Sequence, residues 1–221
     1  MNVIIKWIVA MMLAQSPPTR DAKHHQFGEW TETAEQREQR YASIAEDLWA
    51  VAYDPEQPPI YAGPQGRAAT VALVLAVAYM ESGFAPDVDK GPCYRGKKGG
   101  PYWSRCDGGR SACMMQLNIG NGTTAEGWSQ EDLFADRQKC FRAAIRKLRG
   151  SVGACKALGP DAALNAYGQG YCGKTVLDKG KARLDLARKF RDKGPKVSDD
   201  KVPAPEKSQA EKPVEKLSST K

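Results

Sequence analysis

Residues 67–84 read RAATVALVLAVAYMESGF, and this stretch decides the fold. From Arg67 to Met80 it is apolar on every face, which in a run this short is typical of a helix buried inside a domain. A buried parallel strand is the rival interpretation. Alanine occupies five positions of the run, and alanine favours helices and is depleted in sheets. We therefore predict a buried central helix that ends at Glu81-Ser-Gly-Phe84.

Helical periodicity is also present on both sides of this stretch. Thr33-Ala-Glu-Gln36 predicts a capping box that opens an amphipathic helix. An N-cap at Ser129 predicts another amphipathic helix, which ends at Gly150. Shorter helices are expected over residues 161–167 and 176–190. Because no strand pattern of any length is present, the predicted fold class is mainly α.

Six cysteines lie between residues 93 and 172. An even number in one region indicates disulfides formed in an oxidising compartment, with reduced thiols and a zinc site as weaker alternatives. Residues 85–111 read as a long loop, and a bond between Cys93 and Cys106 is predicted to close it. The other four allow three connectivities. Of these we prefer Cys140 with Cys155 and Cys113 with Cys172.

The ends of the chain differ in composition from its middle. Residues 1–32 are interpreted as a signal-like leader, with an apolar segment from Trp7 to Ala14, followed by a linker. Residues 33–193 form the predicted domain, and residues 194–221 are predicted to be a disordered tail rich in lysine, proline and glutamate. The formal charge of +7 suits nucleic acid, an anionic membrane or the carboxylates of a cell wall, so charge alone does not select a partner.

A carboxylate at the end of an apolar helix is the most informative residue of the chain. Burial against a core of low dielectric constant raises the pKa of a glutamate. Glu81 is therefore expected to stay protonated at higher pH than an exposed glutamate. Cleavage of a glycosidic bond needs such a proton, because the leaving sugar oxygen must be protonated as the bond breaks. The structural alternative is a glutamate that only meets solvent or an arginine.

Three motifs in order carry a resemblance to a known family. The segment Tyr79-Met-Glu81-Ser-Gly-Phe84 resembles the Glu-Ser-x-Phe signature of the lytic transglycosylase and goose-type lysozyme superfamily. Ser111-Ala-Cys-Met-Met-Gln116-Leu looks like its Gly-Leu-Met-Gln-Leu motif, and Ala166-Tyr167-Gly-Gln-Gly170 is similar to its Ala-Tyr-Asn-x-Gly motif. Each pattern is short enough to recur by chance, but three in the family's order are specific.

The resemblance implies a lysozyme-like helical domain, with a buried central helix and long cysteine-containing loops. It implies Glu81 as catalytic acid and base, Tyr167 bonded to the Glu81 carboxyl, and Met115 and Gln116 along the sugar groove. Ser82 would support the site. The implied activity is cleavage of the β-1,4 bond between N-acetylmuramic acid and N-acetylglucosamine in peptidoglycan, with a 1,6-anhydromuramic acid product.

Further expectations about context follow from this interpretation. We expect no cofactor, no metal, no nucleic-acid partner and no membrane span in the mature protein. We expect a monomer that acts on glycan strands after export to the periplasm or the extracellular space, or as part of a phage particle. A muramidase that hydrolyses the same bond and a noncatalytic peptidoglycan-binding protein are the alternatives.

The chain departs from the family's motifs at two positions. Cys113 stands where the family has glycine, and Gly168 stands where it has asparagine. A local disulfide is expected to take over the role of the glycine. A different register would match Asn165 with the missing asparagine at the expense of Tyr167, and we prefer the register that keeps Tyr167.

Other residues near the motifs have both a functional and a structural interpretation. Asp87 and Asp89 are candidates for a second carboxylate, although turn residues in a polar loop are the favoured interpretation. They also resemble the start of a calcium loop, but Lys98 occupies the position of its final glutamate, so calcium is set aside. Four aromatic residues have two interpretations of equal weight, either stacking on a sugar or packing against the protein: Tyr102, Trp103, Trp128 and Tyr171.

Overall fold

The computed structural model describes residues 2–16, 32–91, 106–120, 122–173 and 179–205. This part of the chain confirms a mainly helical fold, with eight α-helices and one small hairpin. The helices are α1 (Val3–Gln15), α2 (Ala34–Ala52), α3 (Gly66–Ser82), α4 (Pro86–Lys90), α5 (Gln130–Ala135), α6 (Arg137–Ala154), α7 (Pro160–Gln169) and α8 (Lys179–Asp192). Strands β1 (Ser111–Ala112) and β2 (Leu117–Asn118) pair antiparallel, with Ser111 opposite Asn118.

Helix α3 lies at the centre of the core. Nearly all of its residues from Ala68 to Ala78 are buried, and it packs against α8, α2, α1 and α6. This confirms the buried central helix predicted from residues 67–84. A helix that is apolar all round is stable only when other helices cover every face, which is what α1, α2, α6 and α8 do.

Polar caps fix where the helices begin. Thr33 forms the predicted capping box with Gln36, and Ser129 forms another with Asp132. The single amphipathic helix predicted after Ser129 is interrupted at Asp136, whose side chain accepts hydrogen bonds from the backbone N–H groups of Gln138 and Lys139. Such a cap starts a new helix because it satisfies amides that have no intrahelical partner.

The N-terminal segment, which was predicted to be a signal-like leader, forms helix α1, and this helix packs against α2 and α3. Helix α1 buries Ile4, Ile8 and Met12 in the core. The Trp7 indole N–H donates to the carbonyl of Phe190 over 3.2 Å. The apolar residues that read as a leader can equally form the buried face of a helix. Among the described residues, no helix is long and apolar enough to cross a membrane.

The C-terminal segment is also more ordered than predicted, because residues 194–205 belong to the fold. The N–H of Asp199 donates to the Pro64 carbonyl over 2.7 Å, and its carboxylate accepts the N–H of Arg67 over 2.8 Å. Asp199 thereby caps α3, which has no side-chain cap of its own at Gln65. Residues 206–221 lie outside the described part of the chain.

The disulfide pairing that we preferred is wrong. Cys113 bonds Cys140 and Cys155 bonds Cys172. The first bond attaches the hairpin to α6, and the second attaches the end of α6 to the segment after α7. Cys106 is also in a disulfide. Its predicted partner, Cys93, lies outside the described residues.

Candidate active site

Glu81 lies in the last turn of α3, where the chain makes a fixed reversal. Gly83 and Phe84 both have positive φ, +61° and +57°, and the Gly83 N–H donates to the Tyr79 carbonyl. Phe84 is buried, with its ring centroid 5.9 Å from that of Tyr41 and 5.7 Å from that of Tyr79. These aromatic contacts stabilise the left-handed backbone at Phe84, which costs free energy in a non-glycine residue.

Ser82 supports this reversal through hydrogen bonds to the backbone. Its hydroxyl donates to the Ala78 carbonyl over 2.8 Å and accepts the N–H of Phe84 over 3.3 Å. Ser82 is buried. Both bonds hold the end of α3, so Ser82 acts on the position of Glu81 and does not face a ligand.

The Glu81 carboxylate is largely enclosed, with 18% of its side chain exposed. Burial raises its pKa, and the positive charges of Arg183 and Lys179 lower it again, while the charge of Asp107 adds to the rise. The net direction is upward. A carboxyl with a raised pKa keeps its proton to higher pH, as a general acid requires.

Arg183 of α8 is the ion-pair partner of Glu81, and sequence reasoning missed it. Its Nη2 donates to Glu81 Oε1, and its Nη1 donates to the Leu164 carbonyl over 2.9 Å. A signal was present in the sequence, because Arg183 falls on the buried stripe of α8 together with Gly180, Ala187 and Phe190. A cation at helical spacing among buried residues needs an anion nearby.

Tyr167 lies close to Glu81, but its hydrogen bond differs from the expected one. The buried hydroxyl donates to the backbone carbonyl of Met115 over 2.7 Å, and the bond to Glu81 is made by Arg183. Burial, and next the charge of Glu81, raise the pKa of Tyr167 well above its ordinary value. Tyr167 thus remains a neutral donor that connects α7 to the segment between β1 and β2.

That segment carries Met115 and Gln116. The structure contradicts the predicted groove position for Met115, whereas the one for Gln116, whose side chain is partly buried, stays a prediction. The Met115 side chain is fully buried in the core and does not line a groove. The Gln116 amide donates to the Cys113 carbonyl over 3.2 Å. Cys113 and Gln116 have positive φ, +52° and +47°. Glycine adopts this backbone without strain, whereas Cys113 adopts it while bonded to Cys140.

The structure gives Asn165 a packing role. Its amide donates to the Gly173 carbonyl over 2.9 Å and its side-chain oxygen accepts the N–H of Gly180 over 2.7 Å. The residue is buried. Its side-chain oxygen connects α7 to Gly180 of α8, and its amide holds the segment that follows α7. The register in which Tyr167 matches the third motif stays a prediction.

Asp87 and Asp89 do not lie in a polar loop, because they belong to helix α4 and both are buried. Asp89 forms ion pairs with Arg137 over 2.7 Å and with Arg40 over 3.5 Å. A carboxylate held between the buried Arg40 and the partly buried Arg137 stabilises the fold and is not available as a base. Asp107, which sequence reasoning did not select, is exposed and influences Glu81 electrostatically.

Two of the clefts in the described part of the chain differ in where they lie relative to Glu81. A cleft of about 320 Å³ between β2 and α6 is lined in part by Lys147 and Asn118. Lys147 Nζ lies 4.9 Å from the centroid of the Tyr167 ring. A wider cleft of about 990 Å³ surrounds Gly66 at the opposite end of α3 from Glu81. Neither of these two clefts is lined by Glu81. We take the candidate site to be the end of α3 that carries Glu81, because this enclosed carboxyl has a raised pKa.

The aromatic residues that could stack on sugars differ in their environments in the structure. Trp128 is partly buried and packs against the core, with Lys139 Nζ 6.0 Å from its ring centroid. Tyr171 is 60% exposed and remains available to a ligand. Tyr102 and Trp103 lie outside the described residues.

Comparisons with known proteins add no relative to this description. No protein-family model matches the chain, and neither the curated proteins nor the solved structures include a significant match.

Proposed function

We propose that this chain is an exported peptidoglycan lytic transglycosylase with a lysozyme-like helical domain. The observation that carries the proposal is one enclosed carboxyl group of raised pKa, Glu81, fixed at the end of the central helix. The order of the three motifs around it supports the substrate class. The two described disulfides support an oxidising compartment.

In the proposed reaction Glu81 acts first as an acid and then as a base. Its proton passes to the glycosidic oxygen as the bond from that oxygen to C1 of muramic acid breaks. The resulting carboxylate accepts the proton of the C6 hydroxyl of the same sugar. The C6 oxygen then bonds to C1 and closes the anhydro ring, so no water is consumed and Glu81 is protonated again.

The test is turnover of purified sacculi by Glu81→Gln. The amide preserves shape but cannot donate and recover a proton, so we expect lysis to be lost while the thermal melt is retained. The control is Glu46→Gln, an exposed glutamate of α2, which should lyse sacculi like the wild type. Lysis by Glu81→Gln within a few fold of the wild type would refute the assignment. Sacculi bound but never cleaved by the wild type would indicate the noncatalytic alternative.

A second candidate, hydrolysis of the same bond, is favoured by one observation. The exposed Asp107 carboxylate acts on the pKa of Glu81 through its charge, as the smallest of the contributions to that pKa, and a second carboxylate is what the activation of a water molecule requires. Mass analysis of the released muropeptides separates the two reactions, because anhydro products weigh one water less. Asp107→Asn should leave transglycosylation largely intact and should abolish hydrolysis.

A further inference from the structure

Arg183 occupies a position from which it can control the geometry of Glu81. Its side chain is 5% exposed, and its two terminal nitrogens join Glu81 of α3 to the Leu164 carbonyl of α7. The guanidinium thus bridges two of the elements that carry the site. We propose that Arg183 is the positioning residue for Glu81, and that the missing side chain at Gly168 admits its guanidinium. This inference rests on the proposed function.

The geometry around Gly168 supports the second part of the proposal. A Cβ atom built at Gly168 would lie 3.3 Å from Nη2 of Arg183 and 3.6 Å from its Nη1. The first distance is tighter than ordinary van der Waals contact, and a longer side chain would extend further into the same space. Gly168 is itself exposed within the last turns of α7. We therefore infer that position 168 holds glycine and not asparagine because the Arg183 guanidinium fills the space that an asparagine side chain would need.

The charge of Arg183 affects both halves of the reaction. As the proton leaves Glu81, the carboxylate that remains is stabilised by the guanidinium, which makes Glu81 a stronger acid towards the glycosidic oxygen. The same ion pair holds the carboxylate in place until the C6 hydroxyl is deprotonated. The other charged or titratable groups that influence Glu81 or respond to its charge are Lys179 of α8, Lys147 of α6, Tyr167 of α7 and Asp107.

The first experiment is the pH profile of sacculi lysis by Arg183→Met and Arg183→Lys. Glu81 must be protonated to donate, so activity falls as pH rises through its pKa. Loss of the guanidinium raises that pKa, so the alkaline limb of Arg183→Met should move to higher pH by about one unit or more. Arg183→Lys should restore most of the original limb. An unmoved limb in a folded Arg183→Met variant would overturn the proposal.

The second experiment displaces the guanidinium without changing it. Gly168→Asn should move the alkaline limb in the same direction as Arg183→Met, and the double variant should move it no further, because both changes act on one contact. The matched control is Gly150→Asn in α6, where a Cβ meets nothing within 4 Å, and its limb should stay in place. Additive shifts in the double variant would contradict the role of Gly168.

A third measurement does not depend on catalysis. The side-chain carboxyl carbon of Glu81 can be followed by ¹³C NMR titration and assigned as the signal that Glu81→Gln lacks. In Arg183→Met and in Gly168→Asn this signal should titrate about one pH unit higher than in the wild type. Identical titrations would overturn the proposal, even for an active enzyme. Shifted titrations in a protein that never lyses sacculi would uphold the pair and reject the proposed function.

Discussion

The pKa of Glu81 is subject to two opposing effects, and their balance has consequences beyond the proposed reaction. Burial raises its pKa, whereas Arg183 and Lys179 lower it, and burial dominates. A buried carboxyl of this kind makes the stability of the folded protein depend on pH, because the folded and unfolded chains hold its proton with different strength.

The pH dependence of stability should therefore change in Glu81→Gln. The folded-state pKa lies above the ordinary value of 4.5, so the contribution of Glu81 to stability is fully present below that pH. It is lost as pH rises through the folded-state pKa. Glutamine does not titrate, so the free energy of unfolding of Glu81→Gln minus that of the wild type should increase between about pH 4 and pH 7. Urea unfolding across this range is the measurement, and a constant difference would contradict the raised pKa.

The bond from Tyr167 to Met115 gives a separate prediction. Tyr167→Phe leaves the buried Met115 carbonyl without its donor, which should lower the free energy of unfolding by about 1 to 3 kcal/mol. Tyr171→Phe is the control because its side chain is 60% exposed, and it should be neutral. Urea unfolding of both variants is the measurement. Equal stabilities would show that the Met115 carbonyl finds another partner.

At the scale of elements, the hairpin between β1 and β2 depends on a covalent bond as well as on packing. Cys113 has a left-handed backbone, and its disulfide to Cys140 attaches the hairpin to α6. The bond closes a segment of 27 residues, for which chain entropy predicts a stabilisation of about 3.5 kcal/mol.

Two double variants separate the disulfide from the backbone strain. Cys113→Ala with Cys140→Ala should lose about 3.5 kcal/mol of unfolding free energy. Cys113→Gly with Cys140→Ala should be more stable than this by about 1 kcal/mol, because glycine adopts a left-handed backbone at little steric cost. Urea unfolding without reductant compares the two. A glycine variant that is the less stable would show that the left-handed backbone costs nothing here.

The sequence predicts elements better than it predicts contacts between them. Periodicity and caps located α2, α3 and α7 because those signals are local. The Cys113–Cys140 bond and the Arg183–Glu81 pair were missed because they join residues 27 and 102 positions apart. No local pattern fixes which distant helices meet. Helix α4 was missed because five residues give too little periodicity.

At the scale of the whole molecule, both ends of the described chain help to close one core. Helix α1 packs against α2 and α3, and Asp199 caps the start of α3. Composition alone suggested that both ends were accessory. The apolar residues of α1 pack against the core, although their sequence resembles a leader. A few residues near Asp199 also pack against it, and the polar composition of the C-terminal tail as a whole does not reveal them.

Truncated chains test whether the C-terminal segment 195–205 stabilises the core. A chain that ends at residue 194 loses the Asp199 cap and the burial of Val202, which together contribute about 2 to 3 kcal/mol. We expect its melting temperature to fall by about 5 to 10 °C. A chain that ends at residue 205 keeps every described contact and is the control. Equal melting temperatures for the two chains would show that the segment 195–205 does not stabilise the fold.

The bond from the Trp7 indole to the Phe190 carbonyl spans 183 residues, and this sets the order in which the protein can be completed. A ribosome that adds about 5 to 20 residues per second needs roughly 10 to 40 s to make that span. Throughout this time the first helix to be synthesised has no α8 to dock against. We therefore expect a chain that is interrupted before residue 190 to leave part of the apolar face of α1 uncovered, which favours its degradation by quality-control proteases.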